Sequence, residues 1–182
     1  MSRVCYLLLL ALAAPMAQAL DIEGAYAAIP HRRTAFDAPA SSAPAPQKAN
    51  LARLFALTDR GVVLRVEGVQ AHGRRDAAGI KRTVAGYETL IAELGRESFS
   101  PEVAPARALI VEALQLQQRH LRSRPEGGLA FTVRRDLEAT PDVKRASQKL
   151  LKAYGILMRT FPGEPQRNKA AFFDHLCALD FL

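Results

Sequence analysis

The sequence predicts an all-α fold, an antiparallel four/five-helix bundle that follows a cleaved signal peptide and an extended N-terminal arm. Three observations predict it. From residue 50 onward, large apolar residues recur every third or fourth position, the period of a helix face, and no convincing run of strands is present. Ser100-Pro101-Glu102 and Thr140-Pro141-Asp142 each place a capping hydroxyl, a proline and an acid where a helix would begin. Hydrophobic residues make up 49% of the chain but aromatics only 7%, with no tryptophan, so the core must be leucine, valine and alanine at close helix spacing. An aromatic binding cage is not expected.

Residues 1–19 read as a secretory signal peptide. Arg3 gives a positive n-region, Val4 to Ala14 an apolar h-region, Pro15 a break and Ala17-Gln18-Ala19 a small-x-small cleavage site. The apolar run is shorter than the ~20 residues of a membrane span and has no later counterpart, so no transmembrane segment is expected in the mature chain. The expected location is periplasmic or secreted. Cys5 leaves with the leader and Cys177 remains alone, so no intramolecular disulfide can form. Cys177 reads as a small buried hydrophobe on the last helix.

Residues 20–49 form the expected arm. "AIPHRRTAF" sets His31, Arg32 and Arg33 between Ile29 and Phe36, and "DAPASSAPAPQKA" behind it is a linker with three prolines and almost no bulky apolar residue. Tyr26, Ile29 and Phe36 are the candidate anchors that lay the arm in a groove between helices. Pro30 fixes extended backbone, and Arg32 and Arg33 are available to helix acids.

The bundle domain is expected over residues 50–182. Leu51, Phe55, Thr58, Val62, Val66 and Val69 predict one helix from about Gln47 to Gln70, with "AHGRRDAAG" as the loop after it. Val84, Tyr87, Leu90, Ile91 and Leu94 predict a shorter second helix ending at a Gly95 cap. Ser100 opens a third, whose stripe from Ala106 to Leu121 carries it to about Ser123. Leu129 to Leu137 fits a strand or a helical turn equally. Thr140 opens a fourth helix with Val143, Leu150, Leu157 and Phe161 on its apolar face, and Pro165 a last one whose face is Phe172, Phe173, Leu176, Cys177 and Leu179.

Motifs for chemistry are missing. There is no G-x-S-x-G, S-x-x-K, H-E-x-x-H, C-x-x-C, phosphate-binding glycine loop or dinucleotide fingerprint, and no C-x-x-C-H for covalent haem. No catalytic residue and no cofactor is assigned. A Met158 and His175 pair of axial haem ligands is disfavoured, because counting outward from the intervening turn offsets them by roughly 10 Å along the bundle.

Charge is the remaining signal, with a formal net charge of +7 and a pI near 9.8. In an up-and-down bundle the first and third helices end together, bringing His72 and His120 to the same end. Eleven bases and six acids cluster there, and the candidate anion-binding or partner-binding residues are Arg74, Arg75, Arg82, Arg122, Arg124, Arg134 and Arg135. Helix N-termini pointing to that end add partial positive charge. An exported chain without aromatics interleaved for base stacking is not expected to bind nucleic acid. The sequence reading is therefore a periplasmic helical-bundle binding protein whose basic end meets an acidic periplasmic protein or an anionic membrane surface. The alternative is a metal- or haem-binding bundle in which His31 on the arm joins His72 or His120. A weaker third reading is an enzyme on an anionic substrate, with His72 or His120 as general base.

Overall fold

The structure is a computed structural model that describes residues 20–128 and 134–182. The expected signal peptide therefore lies outside the described residues, as do positions 129–133 of the ambiguous segment. Among the described residues the chain forms seven α-helices and no strand: α1 (Ile22–Ala27), α2 (Ala45–Gly73), α3 (Ala77–Arg96), α4 (Ala104–Arg122), α5 (Arg134–Ala139), α6 (Pro141–Thr160) and α7 (Gln166–Leu179).

Five of these close into a ring in which α2 packs on α3, α3 on α4, α4 on α6, α6 on α7, and α7 back on α2. Arg53 near the start of α2 bonds Glu93 and Glu97 at the end of α3, and Arg119 near the end of α4 bonds Asp142 at the start of α6. Neighbours are thus antiparallel, as short connections require. An odd-membered ring cannot alternate all the way round. The mismatch falls on α2 and α7, which run parallel: Phe55 stacks on Phe172, Asp59 meets His175, and Arg65 reaches the Ala178 carbonyl.

Helix α2 lies at the centre. Leu51, Leu54, Phe55, Leu57, Thr58, Val62 and Val66 are all buried, on more sides than a single stripe would supply. Its Gly61 lets α4 and α7 close on it, since a Cβ there would stand 2.8 Å from a Leu179 methyl and 3.3 Å from one of Leu114. Leu90, Leu94, Ile110, Leu114, Leu121 and Leu157 complete a leucine-rich core of zero exposure. Each such side chain is worth about 1.5 to 3 kcal/mol over leaving it in water.

Several boundaries differ from the expectation, each for a local reason. Residues 20–49 are not wholly extended: Asp21 accepts a hydrogen bond from the Gly24 amide at 2.7 Å and caps the short helix α1, and α2 begins at Ala45 instead of Gln47. The expected loop 71–79 shrinks to Arg74-Arg75-Asp76. Asp76 accepts from the Gly79 amide at 2.8 Å and so starts α3 well before Val84. Gly95 is not the cap of α3, which continues to Arg96. Ser100 begins a single turn, its carbonyl accepting from Val103 and Ala104, before α4 proper starts at Ala104. Residues 134–139 of the ambiguous stretch are helical. Helix α7 buries Phe172, His175 and Leu176 but leaves Phe173 49% exposed and Cys177 half-buried, a face rotated from the expected one.

Candidate functional site

The parallel pair α2 and α7 leaves a groove, and residues 26–43 fill it, running opposite in direction to both helices. Phe36 stacks between Phe55 of α2 and Phe172 of α7, with ring centroids 5.6 and 6.2 Å apart. Tyr26 is buried, and Ile29 packs partly buried on the core. At the far end, Asn168 exchanges two hydrogen bonds with the Asp37 backbone, and Glu164 accepts from the Ser41 hydroxyl at 2.5 Å and the Ala43 amide at 3.2 Å.

The polar centre of this groove is Asp59. Only 2% exposed, it accepts from Tyr26 Oη at 2.8 Å, His175 Nδ1 at 2.6 Å and Arg33 Nη2 at 2.8 Å. Burial alone would raise its pKa, but the hydrogen bond and charge of His175, then the bonds from Arg33 and Tyr26, outweigh it and hold the carboxyl below its ordinary range. Burial beside this carboxylate pushes the Tyr26 phenol far up, so it stays a donor. Arg33 also bonds Glu23 of α1 at 2.8 Å, tying the first short helix to the cluster. Phe55 stacks on the His175 ring at 4.8 Å.

A carboxylate orienting an imidazole is also half of a catalytic triad. Here the outer nitrogen, Nε2 of His175, is buried with no hydrogen-bond partner among the described residues, and neither Asp59 nor His175 lines the clefts beside Leu20, along α4 and α6, or at Phe173. The arrangement binds the arm to two helices through the Asp59 carboxylate.

The basic end forms where α2, α4 and α7 finish and α3 and α6 begin. α2 stops in a Schellman motif: the Asp76 amide donates to the Ala71 carbonyl and the Arg75 amide to that of His72. Arg75 therefore holds a φ of +55°, a left-handed conformation more usual for glycine, and this projects Arg74 and Arg75 into solvent. The Gly128 amide also donates to the His72 carbonyl. At Gly127, φ +73°, a Cβ would stand 2.8 Å from the same oxygen, so only glycine fits.

Arg74 and Arg75 make no ion pair among the described residues, while Arg82 lies 3.6 Å from Asp76 and Arg122 pairs with Glu88. Arg124 is exposed nearby. Arg134 and Arg135 open α5, and their side chains lie outside the described residues.

His72 and His120 are both buried at this end, and the Phe181 and His120 rings meet edge to face with centroids 6.0 Å apart. Burial, then the charges of Arg124 and His72, pushes His120 down to about 4, and burial likewise lowers His72. His31 sits elsewhere, with Nδ1 3.8 Å from the Cys177 sulfur, and burial and Arg65 lower its pKa. Burial raises the pKa of the Cys177 thiol. Among the described residues no three His, Cys, Asp or Glu side chains are grouped where a metal ion could be held, so His31, His72 and His120 do not assemble as such a group. No described helix is long and apolar enough to cross a membrane.

Sequence reasoning missed the Asp59 cluster. The signal was present: an acid four residues after Phe55 and three before Val62 sits on an otherwise apolar face. Such a residue needs a partner, and His175, four after Ala171 on another apolar face, poses the same demand. No protein family matches the chain, and neither does any curated protein or solved structure.

Proposed function

We propose that the chain is an exported, periplasmic binding protein that uses the basic end of its helical bundle to dock on an acidic protein or an anionic membrane surface. The observation that carries this reading is the exposed pair Arg74 and Arg75, held outward by the end of α2 with no ion pair among the described residues. Lys81 on α3 and Lys144 on α6 are exposed and equally without ion pairs, and both helices direct their N-terminal amides to the same end. Cations that the protein does not neutralise itself are available to an external polyanion.

The test compares retention on phosphatidylglycerol vesicles and on polyglutamate resin for the native chain and an Arg74→Glu, Arg75→Glu double variant. The reading expects retention that falls steeply with salt and is lost in the variant. Retention that ignores the charge reversal on both supports would overturn it.

A further inference from the structure

Among the described residues no segment covers the seam between α4 and α6. Two clefts follow it, one of about 580 Å³ with Arg119, Arg122, Arg145 and Lys149 in its walls, the other of about 510 Å³ with Leu109, Leu151 and Ile156. Lys152 and Arg159 line the second. From Leu109 to Arg122 along α4 the seam runs about 20 Å.

Six cations on this seam face three acids. Glu112 is bonded to Lys149, Glu88 to Arg122, and Asp142 to both Arg119 and Arg145. Lys152 and Arg159 have no ion pair among the described residues. Leu151, beside them, is 61% exposed, the most exposed large apolar side chain described. Unpaired Lys152 and Arg159 beside the exposed Leu151 complement a segment that carries carboxylates next to an apolar anchor. The chain itself gives the mirror case. Its α2/α7 seam carries Asp59 and Glu164, and what fills it brings Arg33 and the anchor Phe36.

We propose that the α4/α6 seam binds an acidic segment of a partner protein, its carboxylates on Lys152 and Arg159 and its apolar anchor against Leu109, Leu151 and Ile156. This rests on the reading of a polyanionic partner and names where and how that partner is held. A protein segment fits a concave seam; a bilayer surface would meet the convex bundle end instead.

The probe is a labelled synthetic peptide of about 14 residues, enough to cover the seam as a helix, built of glutamates with two leucines near one end. Its binding to the full chain is followed by fluorescence anisotropy, beside a peptide with the leucines replaced by glutamates and beside phosphatidylglycerol vesicles. Binding of the first peptide should fall at least tenfold in Leu151→Ser and in a Lys152→Glu, Arg159→Glu double variant. It should fall in the Arg74→Glu, Arg75→Glu variant as well, since the basic end attracts the same polyanion. The leucine-free peptide should bind more weakly and ignore Leu151→Ser. These exposed positions leave the core untouched, and unchanged melting curves verify that each variant is folded. Peptide binding lost only on reversing Arg74 and Arg75 would overturn the seam while leaving the basic-end reading standing. Binding to vesicles but to neither peptide would overturn the seam in favour of a membrane. Binding to none of the three probes would overturn both readings.

Discussion

Two seams of the same ring of helices are treated in opposite ways. Between α2 and α7 the chain lays its own residues 26–43, seals an acidic centre with Arg33, Tyr26 and His175, and sandwiches Phe36 between two phenylalanines. Between α4 and α6 no described residue is laid down, and arginines, lysines and Leu151 remain at the surface. The geometry of the ring explains part of the difference. Parallel helices α2 and α7 are joined by no short turn, so an added segment can run along their groove, whereas α4 and α6 are antiparallel and already bridged by ion pairs. Charges in the covered seam are desolvated and must be matched one for one. Charges in the open seam are solvated and contribute little to stability. The first seam is therefore part of the fold, and the second is free to do something else.

The sharpest way to break this comparison is to remove Asp59. Asp59→Ala leaves His175 and Tyr26 buried without their acceptor and frees Arg33 from the groove, which should cost about 3 to 5 kcal/mol in denaturant unfolding. A loss below about 1 kcal/mol would mean that the cluster holds nothing together. Phe36→Ala should cost somewhat less, about 2 to 3 kcal/mol, because the ring is half-buried and the arm can partly collapse onto the space. It should also make the chain near residue 36 more sensitive to protease, a local opening that Asp59→Ala would share and no change in the α4/α6 seam would reproduce.

Acid provides a third comparison. His120 is held down to about 4 against 6.5 in the unfolded chain, so between those values the unfolded state binds the extra proton. Its contribution is complete above pH 6.5 and is lost as the pH falls towards 4. Asp59 is depressed below 3.8 and so contributes above that value, fading at more acid pH. Stability should therefore decline in two stages on acidification. His120→Asn should shrink the first stage, to which His72 and His31 also contribute, and leave the second, and Asp59→Asn should shrink the second and leave the first. A single decline unchanged by either substitution would contradict these assignments.

The helices were legible because their cause is local. The period of apolar residues from Leu51 to Leu179 predicts a helical bundle wherever the partners lie, and Thr140-Pro141-Asp142 marks the start of α6 to the residue. Boundaries slipped where a side chain took an unannounced capping role, as Asp21 did for α1 and Asp76 for α3. The closure of the ring was not legible, because counting helices does not say which two will meet in parallel. With that contact unknown, Asp59 and His175 could not be paired: they lie 116 positions apart in sequence. Arg33 was correctly open to a helix acid, yet nothing in the nearby sequence said which. The basic end was easier to foresee, since charge at the ends of helices depends only on the order of up and down. Even so, Arg82, Arg119 and Arg122 find acid partners that a sum of charges does not reveal.

The smallest effect is the most specific to the open seam. Arg119 bonds Asp142 at 2.7 Å, and Arg145 bonds the same carboxylate, so Asp142 looks as well partnered as Asp59. The resemblance is only in the drawing. Both arginines are about 60% exposed, at 61% and 59%, and water competes for every one of these hydrogen bonds. Arg119→Ala should therefore shift unfolding by no more than about 0.5 kcal/mol, and salt should erase most of that shift. Arg33→Ala, which removes a guanidinium from a buried carboxylate, should cost about 2 kcal/mol or more and persist in salt. If the two arginines proved equal, burial would not be what separates the seams. If they differ as expected, the cations of the α4/α6 seam are dispensable to the fold and stay available to the proposed segment.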